Sequence, residues 1–558
     1  MKENSKDREV NKMNTAEMLV KCLESEGVEY IFGIPGEENL DLMNALDKSR
    51  KIKFITTRHE QGAAFMADVY GRLTGKPGVC LSTLGPGATN LMTGVADANL
   101  DGAPLVAITG QVGTDKMHIV SHQYLDLVAM FKPVTKWNKQ IVRADTVMEI
   151  VRSAFKAATS GKPGAVHIDL PNNIAGMEVQ GQPLKKPLKE KYYTSFENVE
   201  KAAVAISRAK NPLILVGNGC VRAKASKAIK EFSKVLKLPV TNTFMGKGVV
   251  PFDNKYSMWT VGIPQKDYIN KIFEETDLVI TIGYDLVEYS PFKWNRENKI
   301  KIIHIGEDIA PVNMYYQPDV EVVGDISDSL YEIQKRSTRS VEPEFDLKIK
   351  EEMVKEYESY ANDNSFPMKP QKVLYDIRKI MGEEDIVLSD VGANKMWVAR
   401  HYHCYKPNTC LISNGFASMG FAVPGAISAK IVNPDKKVLA ITGDAGFMMN
   451  NQELETAVRI GTPFVTIIFN DSSYGLIKWK QNEKFGKSCY VDFTNPNFKM
   501  FAESMGLKGY TIEKAEDLIP TLEEAFAQKV PAVIDCRVDY DENMKLTNRL
   551  KKLFEKDI

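Results

Sequence analysis

Lys437-Val438-Leu439-Ala440-Ile441-Thr442-Gly443-Asp444-Ala445-Gly446 is an apolar run of strand length that ends in small and acidic residues. Phe464-Val465-Thr466-Ile467-Ile468-Phe469-Asn470-Asp471-Ser472-Ser473-Tyr474-Gly475 repeats the pattern. A strand apolar throughout is one buried on both faces, as in a parallel sheet covered by helices. In open sheets of that kind, ligands bind outside the carboxyl ends of the strands. Asp444 and Asp471 both stand at such ends, so both can face one crevice.

The residue types suit a metal and a phosphate. Magnesium takes hard oxygen ligands and prefers carboxylates together with phosphates. Gly443 and Gly446 allow the backbone to approach a phosphate closely. A helix beginning near Asn450 is expected to offer its N-terminus to the anion. Either aspartate alone reads equally well as a turn cap; the spaced pair points to a metal site.

The same rhythm runs outward through the chain. In the first part, YIFG, KFITT, GVCLST, PLVAITG and AVHIDLP alternate with helical stretches. In the second, the strands are PLILVGNG, LPVTNT, LVITIG and KIIHIG; in the third, DIVLSDVG, KVLAITGD, FVTIIFND and AVIDCRV. Alternating strands and helices predict an α/β protein of three doubly wound parallel-sheet domains. The expected boundaries are 12–180, 195–330 and 366–540, with a loose arm over the first dozen residues and a docked helical tail at 541–558. A Pro- and Lys-rich stretch at 181–195 reads as a linker, and the charged 336–365 as a connector with an exposed helix. The first and third domains share rhythm and length, which suggests a related pair.

Bulk properties exclude several classes. The 558 residues carry 72 Lys plus Arg against 72 Asp plus Glu, so net charge gives no pull toward nucleic acid or an acidic membrane. Hydrophobic residues at 44% and charged residues at 26% fit a soluble globular chain. The seven cysteines are scattered and odd in number, so a disulfide framework is not expected and a reducing compartment is. The charged N-terminus lacks an apolar signal core, and no apolar run is long enough for a membrane span. A cytoplasmic protein is the expectation.

In the first domain, Glu60 of Arg58-His59-Glu60-Gln61-Gly62-Ala63-Ala64 stands where a strand meets a helix of small residues. It reads as a helix cap or as a functional carboxylate. Gly85-Pro86-Gly87-Ala88-Thr89-Asn90 lacks a full dinucleotide motif. His118 and His122 are four apart but have no third metal ligand nearby in sequence.

Gly443-Asp444-Ala445 followed by Asn470-Asp471 resembles the thiamine-diphosphate motif, Gly-Asp-Gly and then Asn-Asn, with Ala445 and Asp471 as departures. The resemblance implies thiamine diphosphate and Mg2+, with Asp444, Asp471 and the Ser473 carbonyl on the metal. Gly443, Asp444, Ala445, Gly446, Asp471, Tyr474, Gly475 and Leu476 would line the cofactor. So would Gly392, Ala393 and Asn394, which follow the strand ending at Asp390. Met419 of Asn414-Gly415-Phe416-Ala417-Ser418-Met419-Gly420 matches the apolar wedge beneath the cofactor, or is a core methionine. The Glu60 segment resembles the one whose Glu activates the cofactor's pyrimidine, and it implies an active site shared between two chains of a homodimer or homotetramer.

Over roughly 12–540 the chain is similar to acetolactate synthases, notably in RHEQGAAFMADVYGR, STLGPGATNL, APLVAITGQV, FKPVTKW and NGFASMGFAVPGA. This implies condensation of two pyruvates to 2-acetolactate and CO2 through a hydroxyethyl enamine on thiamine. Gln123 and Lys136 match catalytic positions, though both also read as surface residues. Gly36, Gln123, Leu476, Ile477 and Lys480 are the candidates for the substrate pocket. The FAD-containing branch carries Gly-Ala-Arg-Phe-Asp-Asp where this chain has Gly283-Tyr284-Asp285-Leu286, and a Trp where this chain has Lys480. The catabolic, FAD-independent type is therefore expected, and FAD is not. The alternatives are a 2-oxoacid decarboxylase, a pyruvate oxidase and a non-catalytic regulatory paralogue; the retained Glu60, Asp444 and Asp471 weigh against the last.

Overall fold

A computed structural model describes residues 13–186, 194–263, 267–343 and 348–555. The expected arm at 1–12 and the linker segment 187–193 lie outside the described residues. The chain divides into two compact units, Met1–Lys189 and Glu190–Ile558.

The first unit is built on six parallel strands. Their order is Lys53–Thr56, Tyr30–Gly33, Gly78–Ser82, Leu105–Gln111, Ala165–Pro171, Trp137–Gln140. The three strands Gly78–Ser82, Leu105–Gln111 and Ala165–Pro171 are buried at every residue, because helices cover both faces. Helices Glu60–Thr74 and Pro86–Asp101 pack so closely that a Cβ on Gly94 would come within 2.5 Å of Ala64 Cβ. Arg72 locks the pair: its guanidinium reaches Asp68 (2.6 Å), Asp97 (3.2 Å) and Asp101 (2.9 Å), all buried.

The second unit holds two sheets. One runs Cys410–Ile412, Ile386–Ser389, Val438–Gly443, Val465–Asn470, Ala532–Arg537, Lys508–Thr511, all parallel. Numbered along the chain, this is order 2-1-3-4-6-5, the same as in the first unit. The other runs Ser257–Thr260, Val240–Asn242, Pro212–Val216, Leu278–Ile282, Lys301–Gly306, Val320–Val323, which is order 3-2-1-4-5-6. That is the strand order of dinucleotide-binding sheets. Three helix-covered parallel sheets agree with the expected fold class.

The structure differs from the sequence reading at the edges. Trp137–Gln140, Ser257–Thr260, Val320–Val323, Cys410–Ile412 and Lys508–Thr511 are strands that the apolar pattern did not mark. All are short and border a single neighbouring strand. The connector helix Lys348–Ser359 was expected to be exposed, but it docks. Its Ile349 and Met353 enter the core, and Glu356 binds Arg400 (3.1 Å) and Arg549 (2.5 Å). The C-terminal helix Asp541–Glu555 adds Leu546 and Leu550 to the same core.

Candidate active site

Between strands Ile386–Ser389 and Val438–Gly443 the sheet order reverses, and the carboxyl ends of strands beside such a switch point are where open sheets of this kind bind ligands. Gly443 caps a short helix, Asp444–Asn450, so Asp444 stands in its first turn. The helix expected to begin near Asn450 in fact ends there: the Asn450 side chain turns to donate to the Gly420 carbonyl (2.9 Å), and the next helix starts at Glu453.

Asp444 is held from three sides. Its Oδ1 accepts from the Ala445 amide (2.8 Å), and its Oδ2 from the Ser472 amide and Asn495 Nδ2 (2.7 Å each). Asp471, one strand over, accepts from Ser473 Oγ at 2.7 Å. The Ser473 carbonyl accepts from the Gly475 amide (2.9 Å), which leaves it a second lone pair. Burial raises the Asp444 carboxyl, while its three donors pull it down. Burial pushes Asp471 up to about 7, opposed by the Ser473 hydroxyl and reinforced by the charge on Asp444. Two carboxylates and a carbonyl form a hard-oxygen donor set of the kind magnesium takes.

The neighbouring strand end supplies the other candidates. Gly392 has φ +150° and caps helix Ala393–His401, which follows the end of strand Ile386–Ser389. A Cβ there would meet Asn394 Oδ1 at 2.6 Å, so the position needs glycine. Asn394 is buried and donates to the Asp390 carbonyl (2.9 Å). Asp390 itself, pushed up to about 6 by burial, accepts from Val391 (2.7 Å), Gly420 (2.9 Å) and Ala422 (3.1 Å). It thereby clamps the loop that carries the half-buried Met419. Gly446 faces this clamp, since its Cβ would lie 2.9 Å from Asp390 Oδ1.

Helix Gly475–Phe485 follows the loop that carries Asp471 and Ser473. Gly475 abuts the Asp471 carboxylate, and Leu476 packs against the core. Tyr474, Ile477 and Lys480 are exposed. Trp479, beside Lys480, is buried and donates to Thr547 Oγ1 (2.9 Å).

The first unit gathers its candidates at the carboxyl edge of its own sheet. Glu60 opens a helix after Lys53–Thr56, but its carboxylate is not the cap, because His59 Nδ1 accepts from the Gln61 amide (3.1 Å). Glu60 is 8% exposed, its Oε2 accepts from Asn90 Nδ2 (2.9 Å), and a Cβ on Gly87 would lie 3.2 Å from its Oε1. Gly36 sits against Thr83, and Gly85 against the backbone of Gln123. Gln123 is exposed and has φ +57°. Its loop is anchored where Gln111 Nε2 donates to the Leu125 carbonyl (3.0 Å).

Lys136 does not join them. It precedes strand Trp137–Gln140 at the opposite edge of the sheet, and its Nζ donates to the carbonyls of Ser160 (2.7 Å) and Lys162 (2.5 Å). Asn90, Asp390 and Asn495 are the polar partners that the sequence reading did not assign. Asp390 directly follows strand Ile386–Ser389, whereas Asn90 lies inside helix Pro86–Asp101 and Asn495 in a loop, and what each bonds is set by folding.

Three family descriptions match this chain: "Thiamine pyrophosphate enzyme, N-terminal TPP binding domain" over residues 13–130, its central domain over 199–333, and its C-terminal TPP binding domain over 390–536. An acetolactate synthase of Bacillus subtilis is 36% identical over 97% of this chain and 96% of its own length. A catabolic acetolactate synthase of Raoultella terrigena is 35% identical over 96% of this chain and 97% of its own. The acetolactate synthase isozyme 1 large subunit of Escherichia coli is 32% identical over 95% and 94%. With its sheets, its paired carboxylates and its near full-length likeness to these proteins, the chain belongs to the acetolactate synthase family of thiamine pyrophosphate enzymes.

Proposed function

We propose that the chain condenses two molecules of pyruvate to 2-acetolactate with release of CO2, as a catabolic, FAD-independent acetolactate synthase. The observation that carries this reading is the Asp444–Asp471 pair beside the switch point, in a chain that matches acetolactate synthases along its length. Asp444, Asp471 and the Ser473 carbonyl would hold Mg2+. Gly392, Ala393 and Asn394, with Gly443, Ala445 and Gly446, would hold the diphosphate, and Met419 would support the rings. Tyr474, Gly475 and Leu476 would close the cofactor's near side. Thiamine diphosphate supplies the carbon nucleophile and the electron sink for decarboxylation.

The protein's own residues supply protons, orientation and exclusion of water. With Oε2 engaged by Asn90, Glu60 keeps Oε1 free to share a proton with a ring nitrogen. Gly36 and Gln123 shape the acceptor site from one side, and Leu476, Ile477 and Lys480 from another. The active site would form between chains of a homodimer or homotetramer in the cytoplasm. Among the described residues no helix is long and apolar enough to cross a membrane.

FAD independence has support in the middle sheet. The strand Pro212–Val216 leads into Gly217-Asn218-Gly219, where a dinucleotide's diphosphate sits in sheets of this order. Here the buried Glu288 carboxyl group accepts from the Asn218 amide (3.0 Å and 3.1 Å) and from Thr243 Oγ1, so a side chain of the chain's own occupies that place.

The deciding experiment is incubation with pyruvate, thiamine diphosphate and Mg2+, with identification of the product. Acetolactate is expected; acetaldehyde without acetolactate would overturn the assignment. Glu60→Gln is expected to abolish turnover while leaving the circular dichroism spectrum and thermal midpoint unchanged. Full activity in that variant would remove Glu60 from the proton path.

A further inference from the structure

Away from the carboxylate pair, the middle and C-terminal sheets of the second unit meet at a cavity of about 20 Å3, room for one small ion or a water and too little for a nucleotide. Lys247, Trp259, Arg400 and His403 are among the described residues that line it, and no Asp or Glu does. The fold brings them together from both sides. Lys247 follows the strand Val240–Asn242, and Trp259 lies in the strand Ser257–Thr260. Arg400 stands in the last turn of helix Ala393–His401, with His403 just beyond it. The Phe252 amide donates to the Cys404 carbonyl (3.2 Å) across the same seam.

What these side chains share is N–H groups with nothing to bond. Lys247 is 6% exposed. It donates to the Ala399 carbonyl (2.8 Å) and Thr260 Oγ1 (3.3 Å), which leaves one of its three N–H groups over. Arg400 is matched by the carboxylates of Asp267 and Glu356, but Lys247 enters no ion pair among the described residues. Its charge is therefore buried against neutral acceptors alone, which is costly. Trp259 Nε1 and Arg400 Nε can only donate, and both are buried without a partner among the described residues. His403 Nε2 is buried and unpartnered as well, and it donates in the tautomer that carries its proton there. A water molecule could accept from two of these groups and would have to place two hydrogens of its own. A monatomic anion only accepts, and it also neutralises Lys247.

We propose that this cavity binds a halide ion such as chloride, held by Lys247, Trp259 and Arg400, and that the ion joins the middle sheet to the C-terminal sheet. Charge, size and hydrogen bonding agree on that class of ligand. Lys247 supplies the unmatched positive charge, the space admits a single small particle, and the indole and guanidinium offer donors without acceptors. An ion bound to the folded chain and absent from the unfolded one stabilises the fold in proportion to its occupancy.

The test uses the full chain dialysed into sodium gluconate and titrated with sodium chloride at constant ionic strength. A saturable rise in thermal midpoint is expected. Trp259→Phe keeps an aromatic ring and drops the N–H. It should raise the chloride concentration at half-saturation about 10-fold or more, the loss of one hydrogen bond to a charged group. Lys247→Met should abolish the rise; if that variant does not fold, the Trp259→Phe shift decides. Crystals grown in sodium bromide should show an anomalous peak beside Lys247 Nζ and Trp259 Nε1. A midpoint that does not respond to chloride, or a response that both substitutions leave untouched, would overturn the proposal. So would a cavity without a bromide peak, which is one filled by water, and a bromide peak with no effect in solution, which is binding at crystal concentration only.

Discussion

Asn495 shows how a side chain outside the motif governs the proposed metal site. Its Nδ2 spans Asp444 Oδ2 (2.7 Å) and Asn470 Oδ1 (3.1 Å), so one amide fixes the ends of two adjacent strands. Removing such an outer partner commonly costs about 10–100-fold in metal affinity. Asn495→Leu keeps the volume and loses the donor. The variant should need about 10–100-fold more Mg2+ to bind thiamine diphosphate, read by intrinsic fluorescence titration. An unchanged Mg2+ requirement would show that Asp444 is oriented without it. Asp444 and Asp471 were legible in the sequence because each ends an apolar run. Asn495 was not, because it follows no such run and lies 51 positions beyond the aspartate it holds. Glu60 was legible at the strand–helix junction, whereas its Asn90 partner stands 30 positions on and meets it only through helix packing.

The helices that carry Glu60 and Asn90 are aligned by one buried cation. Arg72 faces the carboxylates of Asp68, Asp97 and Asp101, two of them on the second helix. Desolvation works against the guanidinium, and the three carboxylates more than offset it, so it stays charged. Breaking a buried ion pair by removing one partner costs about 3–5 kcal/mol, because the other charge is left behind. Arg72→Met should therefore destabilise the N-terminal unit by about 3–5 kcal/mol in urea unfolding. A loss below about 1 kcal/mol, the range of a surface pair, would mean that the carboxylates relax or protonate at little cost. Elements of this kind follow from pattern: strands such as Leu105–Gln111 are apolar without interruption and were legible as such. Lys508–Thr511 and Trp137–Gln140 mix lysine, glutamine and glycine with aromatics. With one neighbour each, they owe their strand form to pairing rather than to a pattern of their own.

At the scale of the molecule, one strand order serves the first and third sheets and another serves the middle one. The shared rhythm of the outer sheets was legible, but the orders were not, because register and crossover leave no mark in local composition. The middle sheet's order makes Glu288 informative. Its carboxyl is raised from the ordinary 4.5 to about 7 by burial, against the pull of Thr243 and the Asn218 amide. Between pH 4.5 and about 7 the folded chain keeps a proton that the unfolded chain has released. Stability contributed at this position therefore falls as pH rises through that window and is level above it. A glutamine in its place carries no such proton. The stability of Glu288→Gln minus that of the unsubstituted chain should rise with pH by about 1.4 kcal/mol per unit across the window, then flatten. Paired urea titrations at successive pH values measure the difference, in which every other titrating group cancels. Parallel curves would mean that Glu288 ionises in the fold as it does in water. The cradle at Asn218 would then hold a fully charged carboxylate, and a competing phosphate would meet a stronger rival there.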